Sequence, residues 1–276
     1  MDKEFAIGMF MGTAIGDALG APLEFTQPNT GYPLTQMVGG GFHNTAVGEW
    51  TDDTAMMACV ADAYINYKTF APKVISNNFR DWKYYGTHGT RDYCFDIGRV
   101  TSDALSSING SRIYGGSTEY MTSGNGSIMR MASNVVVNHR CMALAIGESV
   151  ATALITHGTK DTVQYVSALA DELFTGAMLP AFDKLRIKGA DKVDGSVQGC
   201  YASAWDSITK TANFEDAVVH AINKGGDADT VGAVTGMIAG RLYGYSSIPQ
   251  RWLDKLVKHD ELLAMANDLY DLYEGE

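Results

Sequence analysis

Residues 225–243 read GGDADTVGAVTGMIAGRLY, a glycine turn that leads two aspartates directly into an apolar helical pattern. From Thr230 to Tyr243 the apolar side chains recur at three- and four-residue spacing, which predicts an α-helix packed on a core. The same period recurs over Asp53 to Tyr67, Arg140 to Ile155, Thr162 to Phe174, Phe214 to Ile222 and Glu261 to Tyr273. Short β-like runs such as Asn134 to Val137 are isolated. We therefore predict an all-α fold.

The composition indicates one large helical core. The chain has 276 residues, of which 46% are hydrophobic, enough material for such a core. It carries no long Pro/Ser linker, low-complexity tract or solenoid repeat, so a single domain over residues 1–276 is predicted. The 30 glycines concentrate between the predicted helices, at 39–41, 115–116, 124–126 and 225–226, where the backbone can approach a ligand closely.

Charge and cysteine usage narrow the function classes. The formal net charge of −11, with no Lys/Arg stripe, argues against nucleic acid as a partner, because that affinity comes from basic side chains that neutralise phosphates. The four cysteines are scattered without CxxC spacing, which argues against a zinc site or a disulfide framework. We find no signal-peptide pattern and expect no segment with the ~20 apolar residues of a membrane span. A cytoplasmic monomer is expected.

Two acidic stretches stand at predicted helix entries. Thr51, Asp52 and Asp53 are adjacent, and successive helical residues point about 100° apart, so they can converge only where loop becomes helix. Asp227, Asp229 and Thr230 repeat this chemistry far along the chain. Capping of the two helices is the ordinary explanation for each stretch alone. Together they could supply hard oxygen ligands to one or two Mg²⁺ or Mn²⁺ ions.

A third stretch, Gly124-Asn125-Gly126-Ser127-Ile128-Met129-Arg130, predicts a glycine-rich turn. Such a turn can cradle phosphate with backbone N–H groups. It lacks the Gly-Lys-Ser/Thr ending of a Walker loop and is not GxGxxG, so on its own it is a weak signal.

With these motifs the chain resembles the ADP-ribosylglycohydrolase family, which includes the dinitrogenase reductase-activating glycohydrolase and the ADP-ribosyl-acceptor hydrolases. The matching segments follow the family's order nearly end to end. They are Gly12 to Pro22 with Glu24, Gly48 to Thr54, Asp96-Ile97-Gly98, Gly124 to Arg130, Thr156-His157, and Gly225 to Thr230 with Ile248-Pro249 and Trp252 behind.

The resemblance implies a compact all-helical fold with two Mg²⁺ or Mn²⁺ ions at the base of a cleft. It implies one ligand set of Thr51, Asp52 and Asp53 and another of Asp227, Asp229 and Thr230. Glu24 and Asp96 match acidic positions proposed to work on the anomeric carbon, and the Gly124 to Ser127 loop would hold the diphosphate. Asp17 and His157 are placed near the cleft.

Ordinary structural roles stay open for three of these residues. Asp17 can brace the first glycine-rich turn, His157 can be a satisfied core histidine, and Glu24 can be an exposed carboxylate after a proline turn. The implied activity is hydrolysis of ADP-ribose from a protein, with arginine as the favoured acceptor. The alternatives are serine-linked or small-molecule ADP-ribose conjugates, and a non-catalytic protein that binds ADP-ribosylated targets or gives immunity to a toxin.

Overall fold

The computed structural model describes residues 1–110, 112–176 and 193–273. Within them the helices are α1 (Lys3–Gly20), α2 (Asp52–Tyr67), α3 (Pro72–Tyr85), α4 (Arg99–Ser107), α5 (Ala132–Val137), α6 (Met142–Leu154), α7 (Lys160–Thr175), α8 (Val197–Thr209), α9 (Phe214–Ile222), α10 (Ala228–Tyr243), α11 (Gln250–Leu253) and α12 (His259–Asp271). The β-pairing in the described residues is limited to isolated bridges. The predicted all-α single domain is confirmed.

Two glycine-bearing helices, α1 and α10, pack antiparallel at the centre of the fold. A Cβ placed on Gly16 would lie 1.9 Å from the carbonyl oxygen of Gly232, and one on Gly240 would lie 1.9 Å from that of Gly8. A Cβ on Gly236 would lie 2.0 Å from the carbonyl oxygen of Gly12. Only glycine allows two helix backbones to approach so closely. We call this contact the glycine seam.

The glycine seam brings distant parts of the chain to one end of the molecule. Because α1 and α10 run antiparallel, the last turn of α1 meets the first turn of α10, where Gly20 contacts the backbone of Ala228 and Asp229. A short 3₁₀ turn, Ala21–Leu23, follows α1 and leads to Glu24. The carboxylates that follow α1 and those that precede α10 therefore share one region.

The six predicted helices are confirmed, each with ends within two residues of those expected. The periodic pattern does not predict the other six described helices, which are α1, α3, α4, α5, α8 and α11. The glycines of α1 interrupt its apolar pattern in the sequence, although they recur every four residues and serve close packing. The expectation that glycines lie between helices rather than inside them is therefore wrong for α1 and α10.

The β-like run at Asn134 to Val137 is also helical. It forms most of α5, whose six residues are all buried. Asn134 donates from its amide to Thr152 Oγ1 and to the Tyr64 hydroxyl, both at 3.0 Å. Tertiary contacts on every side outweigh the β-propensity of the three valines.

One expectation about membrane-like segments is wrong. The stretch Lys3–Leu23 is long and apolar enough to cross a membrane by length and composition, but 94% of its apolar 18-residue window is buried inside the protein. It is the α1 side of the glycine seam and thus a core helix. All four cysteines are free thiols in the structure.

A buried carboxyl outside the acidic cluster offers a test of pH-dependent stability. Glu172 on α7 accepts hydrogen bonds from the Tyr201 hydroxyl at 2.6 Å and Trp205 Nε1 at 3.0 Å, both on α8. Burial raises its pKa from 4.5 to about 7, although the two hydrogen bonds oppose that shift. A group with a raised folded-state pKa stabilises the fold at low pH, and that contribution is lost as pH rises through the folded-state pKa.

We therefore expect Glu172→Gln to change the pH profile of unfolding. The free energy of unfolding of the native protein, relative to the variant, should fall between pH 4.5 and about 7. Urea unfolding at several pH values measures this difference. A difference that stays constant across that interval would contradict the prediction.

Candidate active site

Asp17 on α1 braces the entry of α2. Its carboxylate is fully buried and accepts from the backbone N–H of Thr51 at 2.9 Å and of Thr54 at 3.0 Å. It also accepts from the hydroxyls of Thr51 at 2.9 Å and Thr54 at 2.6 Å. Asp17 is not among the residues that line the neighbouring cavity. The structure thus favours bracing over direct substrate contact for Asp17.

Because Asp17 accepts from the backbone N–H groups of Thr51 and Thr54, the side chains at that entry are not needed to cap α2. Thr51 makes no side-chain capping bond to its own helix, and neither does Asp227 at the start of α10. Other helices of the protein use the ordinary device: Thr159, Ser196 and Asn213 each accept from a backbone N–H of the helix they precede. The capping explanation for the two acidic stretches is therefore wrong in its usual form.

The oxygens of the two acidic stretches converge. Thr51 Oγ1 lies 3.3 Å from Asp53 Oδ2 and 3.3 Å from Asp229 Oδ2. Thr230 Oγ1 lies 3.5 Å from the same Asp53 oxygen. Carboxylate oxygens of Asp227 and Asp229 lie within 4.8 Å of one another and of Glu24. Asp52 faces the cavity beside them. We call Thr51, Asp52, Asp53, Asp227, Asp229 and Thr230 the acidic cluster.

The electrostatics of this cluster suit divalent cations. Burial, reinforced by repulsion from neighbouring carboxylates, raises the pKa of Asp52, Asp53 and Asp229 well above the usual range. Asp53 is fully buried, and its Oδ1 has no hydrogen-bond partner among the described residues. Buried carboxylates need a compensating charge, and a set of carboxylate and hydroxyl oxygens is the donor set that Mg²⁺ and Mn²⁺ prefer. The residues present therefore fit the expected metals.

Asn125 supports this cluster through its side chain. Its amide Nδ2 donates to Asp227 Oδ2 at 2.8 Å. A metal ligand is commonly oriented by such an outer hydrogen bond. The Asn125 backbone N–H donates to the Gly195 carbonyl at 3.0 Å and is therefore not free for a phosphate. Of the predicted phosphate loop, the amides of Gly124, Gly126 and Ser127 are left as candidate donors.

Glu24 and Asp96 both approach the same ring nitrogen of a histidine that the sequence did not single out. His43 Nε2 approaches Glu24 Oε2 to 2.9 Å and Asp96 Oδ1 to 3.5 Å. Glu24 is 6% exposed, so the exposed-carboxylate alternative is wrong. Burial and the nearby acidic groups raise its pKa to about 9, and burial raises that of Asp96 to about 7. The two predicted catalytic carboxyls thus form one group with His43.

Arg91 fixes the backbone of His43 through a hydrogen bond. The Arg91 guanidinium donates to the His43 carbonyl at 3.2 Å and to Glu49 Oε2 at 2.8 Å, and it stacks 4.0 Å from the ring centroid of Phe95. The only sequence signal for His43 is its place just after the Gly39 to Gly41 run, which is too weak to single it out. Its role depends on contacts between distant loops.

A cavity of about 290 Å³ opens beside these groups. It is lined by Glu24, Asp52, Asp96, Gly124, Asn125, Gly126, His157, Asp227, Asp229 and Thr230, together with the segment from Ile97 to Thr101, which includes the first residues of α4. Among the described residues that line the cavity, Arg99 is the one Lys or Arg side chain. Ser127 is buried below the loop, where its hydroxyl lies 3.4 Å from the Gly124 carbonyl. Ten of the fourteen predicted site residues therefore line one cavity, and the other four, Asp17, Thr51, Asp53 and Ser127, do not.

His157 lines the cavity and packs against the glycine loop. It is 1% exposed, and its Nδ1 lies 2.8 Å from Thr156 Oγ1. A Cβ on Gly124 would lie 3.1 Å from His157 Nε2, and one on Gly126 would lie 3.0 Å from Cε1. Side chains at either position would crowd the imidazole edge. Glycine at both positions therefore lets the loop pack closely against the imidazole.

The comparisons with known proteins agree with this geometry. The model of the family described as ADP-ribosylglycohydrolase matches residues 2–276. The chain is 33% identical to ADP-ribosylarginine hydrolase Tri1 of Serratia proteamaculans, over 98% of this chain and 79% of that protein. It is 34% identical to ADP-ribosylarginine hydrolase Tri1 of Pseudomonas putida, over 96% of this chain and 78% of that one.

A solved structure shares the fold. It is described as an ADP-ribosylglycohydrolase-related protein complex and superimposes with a TM-score of 0.84 at 30% identity, over 98% of each chain. The match of the family model to nearly every residue carries the assignment. The chain therefore belongs to the ADP-ribosylglycohydrolase family and is a glycosidic-bond hydrolase.

Proposed function

We propose that the protein removes ADP-ribose from arginine side chains of proteins, and that it does so with two Mg²⁺ or Mn²⁺ ions bound at the acidic cluster. The observation that carries this proposal is the convergence of both acidic stretches on one cavity. It is supported by the similarity to two proteins named ADP-ribosylarginine hydrolases. A monomeric protein in the cytoplasm, with no nucleic-acid or membrane partner, remains part of the proposal.

In this proposal the acidic cluster holds the metals. Bound metals would fix ribose hydroxyls and acidify a water. Asp17 keeps Thr51 in place, and Asn125 orients Asp227. Both act as braces that preserve the ligand geometry.

Glu24 and Asp96 would carry the proton transfers at the anomeric carbon. Cleavage at ribose passes through an oxocarbenium-like state, which needs one group to activate water and another to protonate the leaving nitrogen. A pKa of about 7 suits Asp96 to exchange a proton near neutral pH. His43 contacts both carboxyls and would hold them in a fixed position relative to each other.

The charge around the cavity favours a cationic acceptor. The lining carries five carboxyl groups and the single basic side chain Arg99 among the described residues. The negative potential of these carboxyl groups would attract a guanidinium linked to the ribose. The diphosphate would instead depend on Arg99, backbone amides and the metals. This asymmetry supports arginine over the neutral serine oxygen as the acceptor.

Release of ADP-ribose from an ADP-ribosyl-arginine protein tests the proposal. With Mg²⁺ we expect free ADP-ribose, and with excess EDTA we expect none. Without metal ions the negative charge of the acidic cluster is not compensated when the substrate binds. Asp52→Ala and Asp229→Ala should each abolish release. The same assay on serine-linked ADP-ribose should show slower release.

Two outcomes would contradict it. Faster release from the serine-linked substrate would transfer the proposal to that acceptor class. Calorimetry that shows neither metal nor ADP-ribose binding would refute the metal-dependent mechanism.

A further inference from the structure

Arg130 is a buried cation with no carboxylate in hydrogen-bond contact among the described residues. Its guanidinium lies 4.5 Å from the ring centroid of Phe79, and Nη1 lies 3.5 Å from Met56 Sδ. Nη2 donates to the Thr152 carbonyl at 3.3 Å and to Thr156 Oγ1 at 2.7 Å. Complete burial of such a charge is costly, and burial lowers the pKa of Arg130 to about 9. The cost of burying the Arg130 charge indicates that this residue has a function beyond packing.

The shortest of these hydrogen bonds leads to the active-site cavity. Thr156 Oγ1 contacts Arg130 on one side and His157 Nδ1 on the other, at 2.7 and 2.8 Å. Thr156 is fully buried, and the described residues offer its hydroxyl no third partner. The three side chains therefore form a short chain from the core to the cavity wall.

The direction of each hydrogen bond in this chain follows from its donors. A guanidinium can only donate, so Thr156 Oγ1 accepts from Arg130. The Thr156 proton then has one acceptor within reach, His157 Nδ1, which must be unprotonated to receive it. Burial and the nearby Arg130 lower the pKa of His157 to about 3, so the imidazole is neutral and carries its proton on Nε2.

The protonated nitrogen faces the ligand cavity. His157 lines that cavity, and its Nε2 lies opposite Gly124, with no hydrogen-bond partner in the described part of the chain. An Nε2–H group there can donate to an oxygen of a bound ligand. With Nδ1–H instead, the ring would present an acceptor and repel hydroxyl lone pairs or phosphate oxygens.

We propose that Arg130 is a positioning residue, which acts through the Thr156 hydroxyl to hold His157 as an Nε2–H donor to an oxygen of ADP-ribose. The identity of the ligand rests on the proposed function, whereas the tautomer of His157 does not. The effect on the ligand is one fixed hydrogen bond. Loss of such a bond corresponds to about a tenfold change in affinity.

Substitutions at Thr156 test the chain without removing the buried cation. Thr156→Val keeps the shape and deletes the hydroxyl, whereas Thr156→Ser keeps the hydroxyl. Thr235→Val is the matched control, because Thr235 is equally buried on α10 and its Oγ1 has no hydrogen-bond partner among the described residues. Two readouts apply: ¹⁵N NMR of histidine-labelled protein, and ADP-ribose affinity by calorimetry with Mg²⁺ present. The His157 signals are assigned by their loss in His157→Gln.

The expected result has two parts. In the native protein His157 shows a pyridine-type, hydrogen-bonded Nδ1 and a pyrrole-type Nε2. Thr156→Val moves the Nδ1 signal and weakens ADP-ribose binding about tenfold, while Thr156→Ser and Thr235→Val stay within about twofold of the native protein.

Either of two results overturns the inference. One is an Nδ1–H tautomer in the native protein, which is decisive even where Thr156→Val fails to fold. The other is a folded Thr156→Val protein with an unchanged Nδ1 signal and native affinity. Hydrolysis is not part of either readout, so failure of the proposed arginine activity would be seen separately.

Discussion

Asp53→Asn is expected to abolish metal-dependent hydrolysis and, at the same time, to stabilise the metal-free protein. Asp53 is fully buried, and its raised pKa reflects burial and the repulsion of neighbouring carboxylates. The amide removes that repulsion from the metal-free fold but also removes an anionic ligand. Because a bound metal contributes several kcal/mol to transition-state stabilisation, we expect at least about a 10³-fold loss of activity.

Three measurements separate these effects. Calorimetry with Mn²⁺ should show weakened binding, and thermal unfolding in EDTA should show a higher Tm for the variant. The ADP-ribose release assay should show the activity loss. Glu172→Gln is the control, since it also neutralises a buried carboxyl but lies outside the cluster, and it should leave Mn²⁺ affinity unchanged. A variant that is less stable than the native protein in EDTA would contradict the repulsion argument.

Gly16→Ala is expected to destabilise the fold by about 3 kcal/mol or more, a large effect for the addition of one methyl group. Its Cβ would lie 1.9 Å from the carbonyl oxygen of Gly232 and 2.4 Å from the carbonyl carbon. Both are backbone atoms, so no side-chain rotation can relieve the overlap. The helices must separate, and Asp17, the next residue, would lose its hold on the entry of α2.

The matched control is Gly147→Ala on α6. A Cβ at Gly147 would meet no atom within 4 Å, so alanine there should stabilise the helix by about 0.5–1 kcal/mol. Chemical unfolding of the two variants should thus give free-energy changes of opposite sign. Similar stabilities for both would show that the α1–α10 contact can open without cost and would refute the role of the glycine seam.

The sequence predicted the helices with a strong apolar period. A helix with one face on the core and the other toward solvent carries that period in its side chains. It did not predict α1, which is buried all round and so shows little contrast between faces. Glycine every four residues, as at Gly8, Gly12 and Gly16, was the available signal. Its meaning depends on a partner helix with matching glycines, which one segment alone cannot reveal.

The acidic cluster was predicted from type and order of residues, and the structure brings its six members together. The braces were not predicted as such, because each acts across a long sequence separation. Asn125 was expected to offer its backbone and instead orients Asp227 with its side chain. His43 reaches Glu24 and Asp96 from a loop without a recognisable motif. Residues that act through a neighbour leave little trace in a linear pattern.

The glycine seam also has a consequence for synthesis. Gly8 meets Gly240, so α1 emerges from the ribosome long before its partner helix exists. At about 5–20 residues per second, this apolar helix waits on the order of ten seconds or more without its packing surface. During that interval it is an exposed hydrophobic segment, vulnerable to aggregation and suited to capture by a chaperone. The contact that packs the two central helices of the folded protein is therefore the one that leaves the nascent chain prone to aggregation.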